Sequence, residues 1–260
     1  MTVTYSSYLK IDELLALQQP LSDGPEHDET LFIVIHQVYE LWFKQMLHEI
    51  DYLKTQLVAH DTPRALHTFK RVLTILKVTV AQVDILETMT PLEFLSFRER
   101  LESGSGFHSH QFREFEFVLG ARNPAALERY PLDSDARRRI ERRMHEPTLW
   151  DAFLRFLEGS GHSVPAEALE RDVRLPVEES PALHPLLLEV YRNDSEARTV
   201  CERMVDLDEG VQEWRYRHVK MVQRTIGTRM GTGGSDGAAY LMKTLNRPAF
   251  PDLWAIRAEL

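Results

Sequence analysis

The chain has 260 residues, of which 43% are hydrophobic and 27% are charged, a composition typical of a globular protein rather than a disordered one. Its 31 Lys and Arg against 40 Asp and Glu give a net charge of −9, which disfavours a general nucleic-acid binder because few cations remain to neutralise phosphates. It has one cysteine, Cys201, no apolar run near the about 18 residues of a membrane span, and no signal-peptide pattern, so we expect a soluble cytoplasmic protein with no nucleic-acid or membrane partner.

The first strong element is a helix predicted from Glu29 to Leu57. Apolar residues recur there every three or four positions, and a second row covers the neighbouring face, so we expect this helix to lie in a core. The two rows are Leu31, Ile35, Val38, Trp42, Met46, Ile50, Leu53 and Leu57, and then Phe32, His36, Tyr39, Phe43 and Leu47.

Local start signals place the next two helices. Asp61, with a proline two residues later, predicts a helix that runs to about Thr88. Thr90 and Glu93 form a capping-box sequence with a proline at the first helical position, which predicts a further helix. That helix carries Phe94, Phe97, Arg98 and Leu101.

The second half of the chain alternates weak and strong signals. A helix is predicted over 107–119, and smaller helices and loops over 122–185, where Pro and Gly recur at short intervals. One apolar stripe predicts a long helix over 196–226, which a Gly-rich stretch and a last helical run around Leu241 follow. Because no strand alternation, repeat or linker is visible, we predict an all-α fold, a single helical-bundle domain over 1–260. The stripe is Val200, Met204, Leu207, Val211, Trp214, His218, Met221 and Thr225.

Two histidines interrupt these apolar faces, His218 in the last long helix and His36 in the first. Each could be a core histidine bonded to a backbone carbonyl. His218 could instead be an axial ligand of haem iron, since a neutral imidazole in apolar surroundings binds iron and keeps water away. Arg215 and Arg217 could then offset the charge of haem propionates, or could simply be solvated. No HExxH, Glu-x-x-His pair or CxxC spacing points to a non-haem metal.

Arg98 and Phe94 lie four residues apart and therefore share a helix face. The pair is either a surface arginine with a packed stem, or a guanidinium fork for a carboxylate beside an aromatic wall. The glycines of 231–235 do not form a phosphate loop, because no Gly-Lys-Ser/Thr ending is present and the segment follows a helix. A lid or a linker is the better interpretation.

Six segments, in order along essentially the whole chain, resemble the tryptophan 2,3-dioxygenase family, and together they are very specific. They are Tyr5–Leu9, Phe32–Lys44 (FIVIHQVYELWFK), Leu86–Pro91, Phe97–Glu99, Trp214–His218 and Gly231–Gly237.

The resemblance implies an all-helical haem b protein, usually a homotetramer. It implies a reaction in which O2 cleaves the indole C2–C3 bond of L-tryptophan to give N-formylkynurenine, the first step of tryptophan catabolism through kynurenine. His218 matches the proximal iron ligand of the family. His36 matches the distal histidine that contacts the indole N–H.

The remaining site residues are carried over in the same way. The resemblance assigns Arg98 to the substrate carboxylate, Thr232 to the substrate ammonium, and Phe32 and Phe94 to the pocket walls. In the family an N-terminal segment completes the active site of a neighbouring subunit. The matching residues here are Tyr5, Tyr8 and Leu9.

One departure from the family pattern lies at 108–111, where His-Ser-His-Gln replaces the usual Gln-Ser-x-Gln.

Two other functions stay open: an oxindole-forming haem monooxygenase acting on tryptophan or a substituted tryptophan, and a non-catalytic haem sensor. Arg98 and the threonine loop disfavour the sensor, which needs no amino-acid clamp. A purely structural bundle is a third possibility, and a Soret band would exclude it.

Overall fold

The computed structural model describes residues 2–24, 26–101, 104, 106–231, 241–242 and 244–260. Within these ranges the regular structure is helical and no strand occurs, which confirms the predicted all-α class. The α-helices are α1 (Tyr5–Leu9), α2 (Ile11–Leu15), α3 (His27–Val58), α4 (Thr62–Leu86), α5 (Pro91–Arg98), α6 (His110–Leu119), α7 (Asp135–His145), α8 (Leu149–Gly159), α9 (Ala166–Leu169), α10 (His184–Asn193), α11 (Ser195–Ile226) and α12 (Pro251–Ala255). Short 3-10 helices cover Glu99–Leu101, Gly106–His108, Pro124–Arg129, Pro181–Leu183 and Ile256–Glu259. None of the described helices combines the length and the apolar character that a membrane crossing requires.

The three long helices α3, α4 and α11 form the centre of the fold. Helix α4 packs against both α3 and α11, while α6 and α8 pack on other faces of α3. The predicted apolar rows point into the shared core, where Met46, Ile50, Leu53 and Leu57 of α3 are fully buried. This burial on several sides explains why α3 is apolar around so much of its circumference.

The start of α5 confirms the predicted capping box. The Thr90 hydroxyl accepts a hydrogen bond from the Glu93 backbone N–H at 3.4 Å, and the Thr90 N–H donates to the Glu93 carboxylate at 2.6 Å. The box fixes the direction in which α5 leaves the end of α4, and therefore where Phe94 and Arg98 lie. The α-helix ends at Arg98, and a 3-10 turn carries the chain on to Leu101.

Other boundaries differ from the prediction. The helix predicted over 107–119 begins at His110, because Ser109 is its N-cap and accepts a hydrogen bond from the Phe112 N–H at 3.1 Å. The prediction of smaller helices and loops over 122–185 is confirmed. Most of the Gly-rich stretch and of the run around Leu241 lies outside the described residues. Helix α12, a short helix that begins at Pro251, was not predicted.

Asp208, on α11, fastens the C-terminal segment to the core. Its side chain is fully buried, and one carboxylate oxygen accepts three hydrogen bonds. The donors are the backbone N–H groups of Ala249 and Phe250, at 2.8 and 3.1 Å, and the indole N–H of Trp254, at 2.9 Å. One acidic side chain therefore satisfies the polar groups of a chain turn that would otherwise be buried unpaired.

We expect Asp208→Ala to lower the free energy of unfolding by about 3 kcal/mol, because two buried backbone N–H groups and the partly buried Trp254 indole N–H lose their acceptor. Urea denaturation of the purified protein measures this change. The matched control is Glu209→Ala, at the exposed next position of the same helix, where we expect a change below about 0.5 kcal/mol. Similar losses for both variants would contradict the anchoring role of Asp208.

Candidate active site

A largely apolar cavity lies among α3, α4, α5, α6 and α11. Five of the residues singled out from the sequence line it: Phe32, His36, Phe94, Arg98 and His218. They come from positions far apart in the chain, and the packing of α3 and α11 on α4 brings them together. The structure thus gathers the predicted site residues of three helices into one cavity.

His218 reaches this cavity from α11. Its ring is enclosed by protein on the sides that do not face the cavity, and burial lowers its pKa to about 4, with a smaller contribution from nearby His36. No hydrogen bond joins the ring to another described residue. The Trp214 indole stacks on it at 5.0 Å between centroids and 11° between planes. His218 is therefore a neutral imidazole whose nitrogens have no partner in the described protein, which argues against an ordinary hydrogen-bonded core histidine.

His36 differs from His218 in that one nitrogen is already occupied. Its Nδ1 lies 2.7 Å from the Phe32 carbonyl oxygen. Because a carbonyl can only accept, Nδ1 carries the proton and Nε2 is left as an acceptor. Burial lowers the pKa of His36, although the Phe32 carbonyl and the Glu40 carboxylate oppose this effect. The ring is therefore neutral at neutral pH and offers one hydrogen-bond acceptor to a ligand.

Aromatic rings surround the side of the cavity near His36. The Phe32 ring lies 4.0 Å from the His36 ring and 5.9 Å from the Phe94 ring, between centroids. Phe97, which is fully buried, contacts both phenylalanines at 5.6 Å. These contacts hold Phe32 and Phe94 as a rigid wall suited to a flat aromatic ligand.

Arg98 lies on the same face of α5 as Phe94 and also lines the cavity. Its Nη2 donates a hydrogen bond to the Met230 backbone carbonyl. Its Nε is buried without a hydrogen-bond partner, and no carboxylate pairs with the guanidinium, among the described residues. The cavity therefore contains a cation with donors to spare beside an aromatic wall, which favours the carboxylate-binding interpretation over a packed surface arginine.

A second cationic group lines the cavity. Glu116 of α6 binds two arginines: Arg113 on its own helix and Arg215 on α11, the latter at 3.1 Å. The Nε atoms of both arginines are buried and have no hydrogen-bond partner in the described ranges. Two cations around one anion leave a local charge of about +1, which can attract an anionic group of a ligand.

Arg217 faces another way than its neighbour Arg215. Its Nη2 lies 2.6 Å from an Asp84 carboxylate oxygen and 3.1 Å from one of Glu87. Asp84 lies in the last turn of α4 and Glu87 directly follows that helix, so Arg217 joins α11 to the end of α4 just before His218. The suggestion that Arg217 offsets the charge of haem propionates is therefore wrong. Its side chain pairs with these two carboxylates and ties α11 to the end of α4.

Three of the other predicted residues, Tyr5, Tyr8 and Leu9, are not among the lining residues of this cavity. Tyr5 and Tyr8 lie on α1 with 75% and 76% of their surface exposed, and Leu9 with 43%. Thr232 lies outside the described residues. Within the described ranges, no three His, Cys, Asp or Glu side chains converge as a metal site.

The family model described as tryptophan 2,3-dioxygenase matches residues 1–163 and 178–260. The chain is 60% identical to a tryptophan 2,3-dioxygenase of Herpetosiphon aurantiacus, over 99% of its own length and 98% of the relative. It is 57% identical to a tryptophan 2,3-dioxygenase of Anaeromyxobacter dehalogenans, over 99% of this chain and 96% of the relative. It is 41% identical to one of Saccharopolyspora erythraea, over 99% of this chain and 93% of the relative. This chain belongs to the tryptophan 2,3-dioxygenase family. The membership predicted from the six segments is confirmed.

The residues at 108–111, where the chain departs from the usual sequence of the tryptophan 2,3-dioxygenase family, lie beside the cavity wall. Gly106 and Ser109 line the cavity, whereas His108 and His110 are not among the described lining residues. Gln111 donates to the carboxylate of Glu40 at 2.8 Å and to its backbone carbonyl at 2.9 Å. Ser109 therefore forms part of the cavity wall, and Gln111 holds Glu40, another lining residue.

Sequence reasoning missed the group formed by Arg113, Glu116 and Arg215. The spacing of Arg113 and Glu116, three residues apart, was visible as a helix pair. Such pairs are common on exposed faces, and nothing local signals that α11 supplies a third member. The stack of Trp214 on His218 was missed as well, because a tryptophan in an apolar stripe is usually only a core residue.

Proposed function

We propose that this protein is a haem-dependent tryptophan 2,3-dioxygenase, which inserts both atoms of O2 into L-tryptophan and opens the indole ring between C2 and C3, giving N-formylkynurenine. One observation carries the proposal. A single cavity contains a neutral imidazole (His218), a second imidazole with a free acceptor (His36), an aromatic wall and a guanidinium (Arg98). Within the described ranges, His218 has no hydrogen-bond partner and Arg98 has no carboxylate partner. The names of the relatives supply the reaction.

The residues of the cavity suit haem b. His218 has the chemistry of an axial iron ligand, since its neutral ring is held in an apolar wall and its nitrogens have no partner among the described residues. The free Nε donors of Arg113 and Arg215 are available to the carboxylates that such a group carries. We therefore assign the iron to His218 and the propionate end to these two arginines.

The other end of the cavity suits an amino acid with an indole ring. We assign the substrate carboxylate to Arg98 and the indole ring to the wall of Phe32 and Phe94. The Nε2 of His36 can accept the indole N–H, because its Nδ1 proton is held by a backbone carbonyl. Thr232, assigned to the ammonium group, stays a prediction from the sequence.

When bound, ferrous haem supplies the binding and activation of O2. The chain supplies orientation and polarity. Arg98 and the phenylalanine wall fix the substrate at both ends, and the apolar wall limits access of water to the reacting carbons. His36 positions the indole rather than removing its proton, since an indole N–H is far too weakly acidic for efficient transfer to an imidazole whose pKa burial has lowered.

The N-terminal segment supports a homo-oligomer, which we propose to be a homotetramer. Tyr5, Tyr8 and Leu15 are among the most exposed large side chains of the chain, and no residue of α1 or α2 is buried. Exposed aromatic side chains in a row indicate a contact with another protein surface. We propose that Tyr5, Tyr8 and Leu9 pack at the active site of a neighbouring subunit.

Isotopic O2 tests the reaction. With L-tryptophan and doubly labelled O2, we expect a product that contains two labelled oxygens, as read by mass spectrometry. A single labelled oxygen would overturn the dioxygenase in favour of an oxindole-forming monooxygenase. A red protein that consumes no L-tryptophan would indicate a haem sensor, and a protein without a Soret band after haem reconstitution would contradict haem binding altogether.

His36 gives a pH-dependent prediction. Its folded-state pKa lies below the ordinary 6.5, so the ring is neutral above that pH and becomes protonated only as the pH falls below it. Protonation removes the Nε2 acceptor, and kcat/KM for L-tryptophan should therefore decline below pH 6.5. His36→Ala should keep its haem and lose part of the rate, and this acid decline should flatten. An unchanged pH profile in the variant would show that another group causes the decline.

A further inference from the structure

Trp214 makes the closest aromatic contact with the proposed iron ligand. The two residues lie one turn apart on α11, and their rings are nearly parallel, with 11° between planes and 5.0 Å between centroids. One face of the His218 ring is thus covered by a larger flat ring. Both side chains also line the cavity.

In the described part of the chain, the His218 ring is not restrained by a hydrogen bond. An imidazole that binds a metal usually donates its second N–H to a carboxylate or a carbonyl, and this hydrogen bond fixes the plane of the ring. No described residue makes such a bond to His218. Among the described contacts of His218, the stack against Trp214 is the one whose geometry can fix the plane of the ring.

Trp214 itself is held from two other helices. Phe112 of α6 lies 4.7 Å from its ring, and Tyr39 and Phe43 of α3 meet it edge-on at 6.4 and 6.2 Å, between centroids. Tyr39 is fixed in turn, because its hydroxyl donates to the Thr79 carbonyl of α4 at 2.9 Å. An indole packed on several sides in this way has little freedom to change rotamer.

We infer that Trp214 is a positioning residue, which sets the plane of the His218 imidazole and through it the strength of the iron–histidine bond. This inference rests on the proposed function, in which His218 binds haem iron. The inference adds to that function the kind of contact that orients His218, which is an aromatic stack rather than a hydrogen bond. The orientation is therefore set by α3 and α6, through Phe43, Tyr39 and Phe112.

The test compares haem-loaded variants at this position. Trp214→Leu removes the flat partner, and Trp214→Phe keeps an aromatic face. Tyr216→Leu is the matched control, since it removes an aromatic ring from the same helix at a position that is 52% exposed. The readouts are the iron–histidine stretching band in the ferrous resonance Raman spectrum and the rate of haem loss to a haem scavenger.

We expect Trp214→Leu to shift or broaden the stretching band and to raise the rate of haem loss roughly three- to tenfold, the range that one aromatic contact supports. Trp214→Phe should recover most of both properties, and Tyr216→Leu should match the unmodified protein. If Trp214→Leu does not fold, Phe112→Leu replaces it, because it removes the ring that backs the indole and should move both readouts in the same direction.

The outcomes separate the two proposals. If the protein shows an iron–histidine band and neither Trp214→Leu nor Phe112→Leu changes it, the proposed role of Trp214 is overturned. The assignment of His218 to haem iron then still stands. A chain that binds no haem, or that gives the same band after loss of His218, would overturn the proposed function instead. If Trp214→Leu and Tyr216→Leu change the band and the rate of haem loss equally, loss of any aromatic ring from α11 has the same effect, and the inference is overturned.

Discussion

His218→Ala is expected to abolish stable haem retention and turnover together. The His218 imidazole has no hydrogen-bond partner among the residues that the structure describes, and its pKa of about 4 keeps the ring neutral and able to bind a metal at neutral pH. In the proposed assignment it makes the only bond from the chain to iron, so the remaining contacts to haem would be packing and ion pairs. Haem content of the purified variant, measured by absorption after pyridine treatment, and the rate of L-tryptophan consumption check this result.

His48→Ala is the matched control for His218, because His48 lies on a long helix but at an exposed position. It should retain full haem and normal turnover. Adding imidazole to the His218→Ala protein should restore part of the haem binding, since a free ligand can occupy the space of the lost side chain. Full haem content and near-normal activity in His218→Ala would show that another group binds iron.

Arg98→Ala is expected to lower kcat/KM for L-tryptophan by roughly two or more orders of magnitude. In the proposed assignment Arg113 and Arg215 bind the haem propionates, so Arg98 is the guanidinium left for the substrate carboxylate. Its loss would leave that carboxylate unpaired in a mainly apolar cavity. Haem content should not change, because Arg98 is not an iron ligand. Steady-state kinetics over a range of L-tryptophan concentrations measures the loss.

A comparison of substrates isolates the contact made by Arg98. Tryptamine lacks the carboxylate, so it should be a poor substrate of the unmodified enzyme and should lose little more in Arg98→Ala. Arg98→Lys should recover activity only in part, because a point charge cannot reproduce a planar fork. Arg100→Ala, at an exposed position paired with Asp23, is the matched control and should have little effect. Equal losses for L-tryptophan and tryptamine would contradict the carboxylate assignment.

Much of the fold could be predicted from local patterns. The apolar rows of α3, α4 and α11 repeat every three or four residues, so their length and buried faces follow from helix geometry alone. The Asp61 cap and the Thr90 box mark helix starts because they use hydrogen bonds within one turn. Where the start depended on a preceding 3-10 turn, as at His110, the prediction was three residues early.

The candidate site was predicted less completely. Resemblance to the family named His218, His36 and Arg98, and the structure brings these side chains to one cavity. Local patterns alone left each with two interpretations. The structure adds their partners: His36 has a backbone carbonyl at Nδ1, whereas His218 and the Arg98 Nε have no hydrogen-bond partner in the described part of the chain. Their roles stay proposals.

Arg215 and Arg217 show what only the tertiary structure decided. The sequence places both beside His218 and allows either one to face a haem propionate. Two residues apart on a helix, they point in nearly opposite directions, and neighbouring helices decide their environment. Arg215 is buried against Glu116 of α6 at the cavity, while Arg217 binds Asp84 and Glu87 of α4. Helical period and capping are properties of one segment, so the sequence by itself determined them; the partner of a charge or of an imidazole comes from a distant segment and exists only after the helices have packed.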